Sequence, residues 1–568
     1  SAAVSSRTMT TTQRRRRGLL VLLLTAALAT AAQADVLMRD GFESRGTVPD
    51  TAADASRFLQ QATFGATETG IAALQGRSYA SWIDTQMALP MTSVLAYMRA
   101  HDETPGTAEL DFWLLTQGWF DNALAAPDQL RQRVAFALSE IMVVSERGNN
   151  LANDGLALGA YYDILLRNAF GNYRDLLKDV TLSPAMGRFL SMYRNRKPDP
   201  ANNIRPDENF AREVLQLFSI GLVKLNRDGT PVIVNGTTVP TYDEQVVRGF
   251  AHVFTGWGCV GIDFENPQAT CSTEAPMRPF EAFHDRGEKH LFDGIVLPAN
   301  RDAMVDLDAA LDAIFQHQNV APFISRQLIQ RLVTSNPTPQ YVDRVAAVFE
   351  NDGSGERGDL GAVVRAILLD EEARFGHIRQ PATFGKVREP LLRLTQVWRG
   401  LNARWLQDRM FPDDIDIHLR YNQSPLAAPS VFNFFSPSYT PGGAVGAAGM
   451  VVPEMQAITD TFAISLTNDQ WGRIHWQCQG CDMNAQAYPG VRETRLELWR
   501  VSIVGGGEAA IDAMIERANV LFLGGTMSPA LRSRVRARVL ELPANDPLLR
   551  VQNALYLITA SPEFAVQR

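Results

Sequence analysis

Two short stretches of this sequence gather side chains that could do chemistry. The first is Arg205-Pro206-Asp207-Glu208-Asn209-Phe210-Ala211-Arg212-Glu213, which runs on to Gly221. Carboxylates at Glu208 and Glu213 flanking the guanidinium of Arg212 are residue types that hold a divalent ion or move a proton, because a fixed positive charge keeps a neighbouring carboxylate ionised and in place. The same spacing also describes a solvated helix face carrying a Glu208–Arg212 pair at i,i+4. The second stretch is Phe283-His284-Asp285-Arg286-Gly287-Glu288-Lys289-His290. His284 beside Asp285 can ligate a metal or relay a proton, and Lys289 can seat an anion, while the plainer alternative is a hydrogen-bonded brace. Glu208, Arg212, Glu213, His284 and Asp285 are therefore the candidate catalytic residues. Glu208, Glu213, His284 and Asp285 are the candidate ligands of a divalent metal ion, and Asn209, Lys289, Trp257 and Asn433 are candidates to contact a substrate.

The elements that must position these residues are helices. Pro206 near a first turn, acidic residues in that turn and Gly221 at the end give Asn209 to Ile220 the start and stop signals of a helix, with Phe210, Val214, Leu217 and Phe218 as its apolar stripe. Glu208, Asn209, Arg212, Glu213 and Gln216 share the other side. Tyr242-Asp243-Glu244 leads into Phe250-Ala251-His252-Val253-Phe254-Thr255-Gly256-Trp257, a largely apolar helix on which His252 reads as a core histidine.

From Asp54 onward apolar residues recur at helical spacing, as at Leu130, Val134, Leu138 and Ile141. Further helices are expected over Leu156 to Phe170, Asp243 to Phe254, Ala303 to Phe315, Tyr341 to Phe349, Leu360 to Leu369, Lys386 to Leu401, Glu508 to Leu523 and Leu548 to Thr559. Strand signals are sparse, and Asn235-Gly236 within Pro231 to Val239 marks one inserted hairpin. Long loops fall at Pro198 to Pro206, Asp263 to Asp293 and Ser424 to Pro453, and ordered loops of that length tend to carry function. The expected fold is mainly α, a multi-helical globular fold with a small inserted β-hairpin and long ordered loops.

At the N-terminus, Arg14 to Arg17 precede an apolar run from Leu19 to Leu28 that ends at Ala32-Gln33-Ala34, the layout of a signal peptide with its cleavage site. Met9 is the expected initiator and Asp35 the expected mature start. The chain thus divides into an upstream extension plus signal peptide (1–34), a linker (35–53) and a helical region (54–568), which is long enough to form two packed lobes over about 54–260 and 300–568. Arg16-Arg17 also faintly resembles a twin-arginine signal, but the general secretory route is favoured. A composition of 46% hydrophobic and 20% charged residues with net charge −8 is that of a soluble globular protein, without the basic character of a nucleic-acid binder and without membrane attachment after signal cleavage. The protein is expected in the periplasm or secreted. In that oxidising compartment the local pairs Cys259 with Cys271 and Cys478 with Cys481 are expected to be disulfides, with a four-thiolate zinc site as the rival reading. No nucleophile elbow, phosphate loop, dinucleotide fingerprint or zincin motif is present. Asn351-Asp352-Gly353-Ser354-Gly355-Glu356 lacks the spacing of a calcium loop and reads as a turn.

Taken together, Glu208-Asn209-Phe210-Ala211-Arg212-Glu213, Phe254-Thr255-Gly256-Trp257, His284-Asp285-x-Gly287-x-Lys289, Arg357-Gly358-Asp359-Leu360 and Ser430-Val431-Phe432-Asn433-Phe434-Phe435 resemble the bacterial family known as domain of unknown function 1800, over about Ser56 to Phe564. The resemblance implies an exported, helix-rich protein without an assigned activity, often encoded beside a sulfatase-like exported protein. Many relatives carry histidine where this helix has Phe218, so a metal centre relying on that histidine would lack a ligand here. Two function classes follow. One is an exported, metal-assisted hydrolase-type enzyme that uses the Glu/Arg/His/Asp cluster. The other is a non-catalytic envelope or surface protein that binds a polymer or a sulfatase-like partner. They differ in whether Glu208, Arg212, Glu213, His284 and Asp285 converge on an open cavity or close on one another.

Overall fold

Many of the helices start where a short polar side chain takes up free N–H groups of the first turn, as the sequence signals require. At Ala52–Ala62 the Thr51 hydroxyl accepts from the Asp54 N–H while the Asp54 carboxylate accepts from the Thr51 N–H at 2.9 Å, a reciprocal cap. Asp359 caps Leu360–Leu369, and Pro339, Pro529 and Pro547 occupy first helical positions where their missing N–H costs nothing. The computed structural model describes residues 47–102, 112–148, 151–152, 154–266, 272–402, 417–475 and 502–568. The expected signal peptide and most of the linker lie outside the described residues, as do Cys271, Cys478 and Cys481.

The fold is mainly α, with the strands confined to small two-stranded antiparallel ribbons. The expected hairpin is present: Ile233 pairs with Thr238 and Val234 with Thr237 around Asn235 and Gly236, both at positive φ as a tight primed turn requires. Three further ribbons pair Trp257–Gly258 with Arg278–Pro279, Lys289–His290 with Val296–Leu297, and Lys386–Val387 with Val566–Gln567. Two residues per strand leave no alternating pattern to read, so the sequence gives no warning of them. The last ribbon shortens the helix expected over Lys386 to Leu401 to Pro390–Gly400, because Lys386 and Val387 are held in register with Gln567 and Val566. The helix expected to end at Ile220 stops at Gln216. Its last carbonyls are taken by Phe218 N–H onto Glu213 O and by Gly221 N–H onto Leu215 O, with Gly221 at φ +69°.

Buried apolar side chains from Ala55 to Phe564 belong to one connected cluster that includes Phe58, Trp119, Tyr161, Trp257, Trp398 and Phe522. Aromatic rings of this kind each remove a large apolar area from water and dominate such a core. No described helix is long and apolar enough to cross a membrane.

Two close approaches place the chemistry-bearing loop against this core. At Gly249, in the helix Glu244–Val253, a methyl group would fall 1.9 Å from the His290 carbonyl oxygen, so only glycine lets the Lys289–His290 strand lie on the helix. At Gly256, φ +81°, it would fall 2.7 Å from the His284 nitrogen.

Candidate functional site

Glu244, Arg248 and His252 stand at i, i+4 and i+8 on the helix Glu244–Val253 and therefore share one face. That face meets the N-terminal end of the helix Asn209–Gln216. There Arg212 Nη2 bonds Glu208 Oε2 at 3.2 Å and Glu244 Oε1 at 3.2 Å, and Arg248 Nε lies 3.8 Å from Glu208 Oε1. These side chains are between a third and two-thirds exposed, so the network is screened by water and worth little to stability. Beside it the loop 198–206 leaves a cleft of about 550 Å³, walled by Pro198, Arg205, Glu208, Arg248 and His252. The size is that of a small-molecule or segment-binding site.

His252 is not the core histidine its apolar neighbours suggest. Its side chain is 32% exposed, lines the cleft, and bonds Asp285 Oδ2 through Nδ1. The Asp285 carboxylate also accepts the Gly287 N–H at 2.8 Å, and the Asp285 N–H donates to Thr255 Oγ1 at 2.9 Å. Burial would raise the Asp285 carboxyl, but the His252 bond, the Gly287 N–H and the charges of His252 and Lys289 outweigh it and bring it down to about 2. An anionic Asp285 fixes Nδ1 of His252 as the protonated nitrogen. Nε2 is left with no bonded partner among the described residues.

His284, one residue earlier, points the other way. Its Nδ1 bonds the Thr255 carbonyl at 3.0 Å and its Nε2 bonds Asp306 Oδ2 at 3.2 Å, and neither side chain is exposed. Lys289, 1% exposed, spends its three protons on Asp306 Oδ2 at 2.6 Å and on the carbonyls of Asp285 and Gly287 at 2.6 and 3.0 Å. Arg301 Nε adds a second cation 3.0 Å from Asp306 Oδ1. Burial raises the Asp306 carboxyl, and the bonds from His284 and Lys289 together with their charges pull it below its ordinary value. This is a closed brace that ties the 284–289 loop to the helix Ala303–Gln316.

The expected catalytic set is therefore split. Glu208 stands on the cleft, Asp285 reaches it through His252, Arg212 supports Glu208 from the side, and His284 is sealed in the brace. Glu213, placed with the polar residues by helical spacing, is 6% exposed with Oε2 unpartnered among the described residues. Burial pushes its carboxyl up, and burial with the nearby Glu213 pushes the Tyr242 hydroxyl up to about 12. The four expected metal ligands do not assemble: among the described residues no three His, Cys, Asp or Glu side chains come together around a point that could hold an ion. Glu208 is drawn instead to Arg212, and Asp285 to His252 and the Gly287 N–H.

Of the expected substrate contacts, Trp257 is fully buried in the core and Lys289 belongs to the brace, so neither faces the cleft. Asn209 is exposed at the start of its helix, where its N–H donates to Asp207 at 2.8 Å, and it does not line the cleft. Asn433 borders a different cavity. Cys259 is buried at the end of the Trp257–Gly258 strand. Arg357-Gly358-Asp359-Leu360 is a joint between helices: Gly358 O accepts the Tyr173 N–H at 2.8 Å and Asp359 caps the next helix. The spacing of Glu244, Arg248 and His252 is the signal that could have found His252 and Arg248. Asp306 carries none, since it sits among Asp302, Asp308 and Asp312 like any acid of a solvated face.

The chain belongs to the family described as protein of unknown function DUF1800, whose profile matches residues 57–566. No curated protein and no solved structure matches it.

Proposed function

We propose that the protein is an exported hydrolase-type enzyme in which His252, oriented by Asp285, acts as general base in the cleft beside Glu208. The observation that carries this reading is the His252–Asp285 bond, made by an imidazole that is itself exposed to a 550 Å³ cleft. In the proposed step Nε2 takes a proton from a water molecule as its oxygen attacks the electrophilic carbon, or the sulfur of a sulfate ester, of the substrate. Asp285 stays a carboxylate and stabilises the imidazolium, which then returns the proton to the leaving oxygen or nitrogen. Arg205 is exposed on the cleft wall, with no carboxylate partner among the described residues, and supports a substrate bearing a carboxylate, sulfate or phosphate. Glu208, tied to Arg212, is placed to accept a hydroxyl of such a substrate.

Export is supported by the basic block Arg14 to Arg17 ahead of Leu19 to Leu28. The expected divalent metal has no ligand group among the described residues, so the step above is written on side chains alone. The exposed Arg205 also supports a second reading, in which the same cleft holds an acidic envelope polymer or a sulfatase-like exported partner without turnover. Hydrolysis of chromogenic esters, sulfates and glycosides bearing an anionic group separates the two. Wild-type protein should turn over at least one class, and His252→Ala should lose about 10²–10⁴-fold in rate while remaining folded. Turnover of none, or rates indifferent to His252→Ala, removes the enzyme.

A further inference from the structure

A second cavity, of about 420 Å³, lies away from the His252 cleft, between the 216–225 segment, Phe323 and the 431–437 turn. Its walls are apolar, and its rim leaves Leu222 and Phe432 each 55% exposed, an unusual outlay of apolar surface unless something covers it. Its inner end is polar and incomplete. Gln327 Nε2, Arg331 Nε and Asn433 Nδ2 are buried donors with no bonded partner among the described residues, on side chains that are 7%, 3% and 7% exposed. Unmet donors of this kind cost free energy and are kept where a ligand completes them.

Buried charged side chains stand beside these donors. Glu140 lines the cavity, and Gln423 Nε2 bridges it at 3.4 Å to Glu389 at 2.7 Å, in a site with no exposure to water. Burial and the adjacent Glu389 push the Glu140 carboxyl well up. The buried cations Arg133, Arg331 and Lys386 stand with Glu140 among the buried carboxyl groups of Glu389 and Glu454, Lys386 Nζ lying 3.7 Å from Glu389 and 3.2 Å from Glu454. Arg331 Nε lies 3.7 Å from Glu140 Oε2, beyond hydrogen-bond reach.

We propose that this cavity binds an aliphatic carboxylate, its chain against Phe323, Leu217 and Ile220 and its head accepting from Gln327, Arg331 and Asn433. A carboxylate supplies the acceptors those donors lack and a charge-assisted partner for the Arg331 guanidinium, and a chain suits the apolar walls and rim. The proposal is independent of the cleft.

Calorimetric titration of the full mature chain with octanoate, 1-octanol and octylammonium tests it. Octanoate should bind saturably, one per chain, with the alcohol and the amine at least tenfold weaker. Gln327→Leu should weaken octanoate at least tenfold and leave octanol unchanged. Asn433→Gly removes a donor at a residue whose φ of +65° glycine accepts, and gives the same comparison if Gln327→Leu does not fold. Octanol binding as tightly as octanoate, no saturable octanoate binding, or octanoate affinity unchanged in the folded variants overturns the assignment.

Discussion

His284 and Asp285 are neighbours in the chain and meet opposite environments. His284 faces inward, with both ring nitrogens bonded to protein and none of its side chain exposed. Asp285 faces outward to His252, whose ring is a third exposed on a cleft. Each half pairs an imidazole with a carboxylate, yet the brace has no room for a reactant and no unspent lone pair on its histidine. The cleft has both. What separates the two His–Asp pairs here is the second ring nitrogen: bonded to Asp306 in His284, without a bonded partner among the described residues in His252.

The largest expected effect breaks the brace. Asp306→Ala strands Lys289 and His284 in a dry site and should cost about 3–5 kcal/mol, read as a lowered urea midpoint or failure to fold. Asp285→Asn acts on the cleft side. It should lower turnover at least about tenfold, a part of what acid–base catalysis is worth, while the protein stays folded at neutral pH. It should also change the acid limb of stability. The folded Asp285 carboxyl, at about 2, sits below its ordinary value, so its contribution is fully present above about pH 4 and is lost as pH falls toward 2. Wild-type urea midpoints should therefore fall over that window, and the Asn variant should fall less, by roughly 1 kcal/mol once solvent screening is allowed for. Equal limbs would detach Asp285 from His252. Arg212→Ala should do least, under about 1 kcal/mol at low salt and less at 1 M salt, because its partners Glu208 and Glu244 are exposed.

The helices were legible because caps and apolar spacing are local: Leu360–Leu369 lies where its pattern puts it, and the Asn235-Gly236 hairpin follows from two residues. The site was half legible. Glu208, His284 and Asp285 stand out by type, but which side of the 284–285 backbone faces water depends on Thr255 and Asp306, 29 and 22 residues away from His284. Helical spacing places Glu213 on the polar side with Arg212, yet it is buried at 6% exposure. His252 was read as core because its neighbours are apolar, although its i−4 and i−8 positions, Arg248 and Glu244, already marked a polar stripe. Spacing gives the face of a helix; it does not say what packs on that face.

The most direct measurement compares two histidine variants, His252→Ala and His284→Ala, each assayed for unfolding free energy and for turnover of the same anionic ester, sulfate or glycoside. The account predicts that His252→Ala keeps its stability within about 1 kcal/mol and loses turnover, while His284→Ala loses stability first. A His252→Ala protein that keeps its turnover, or a His284→Ala protein as stable as wild type, would contradict it.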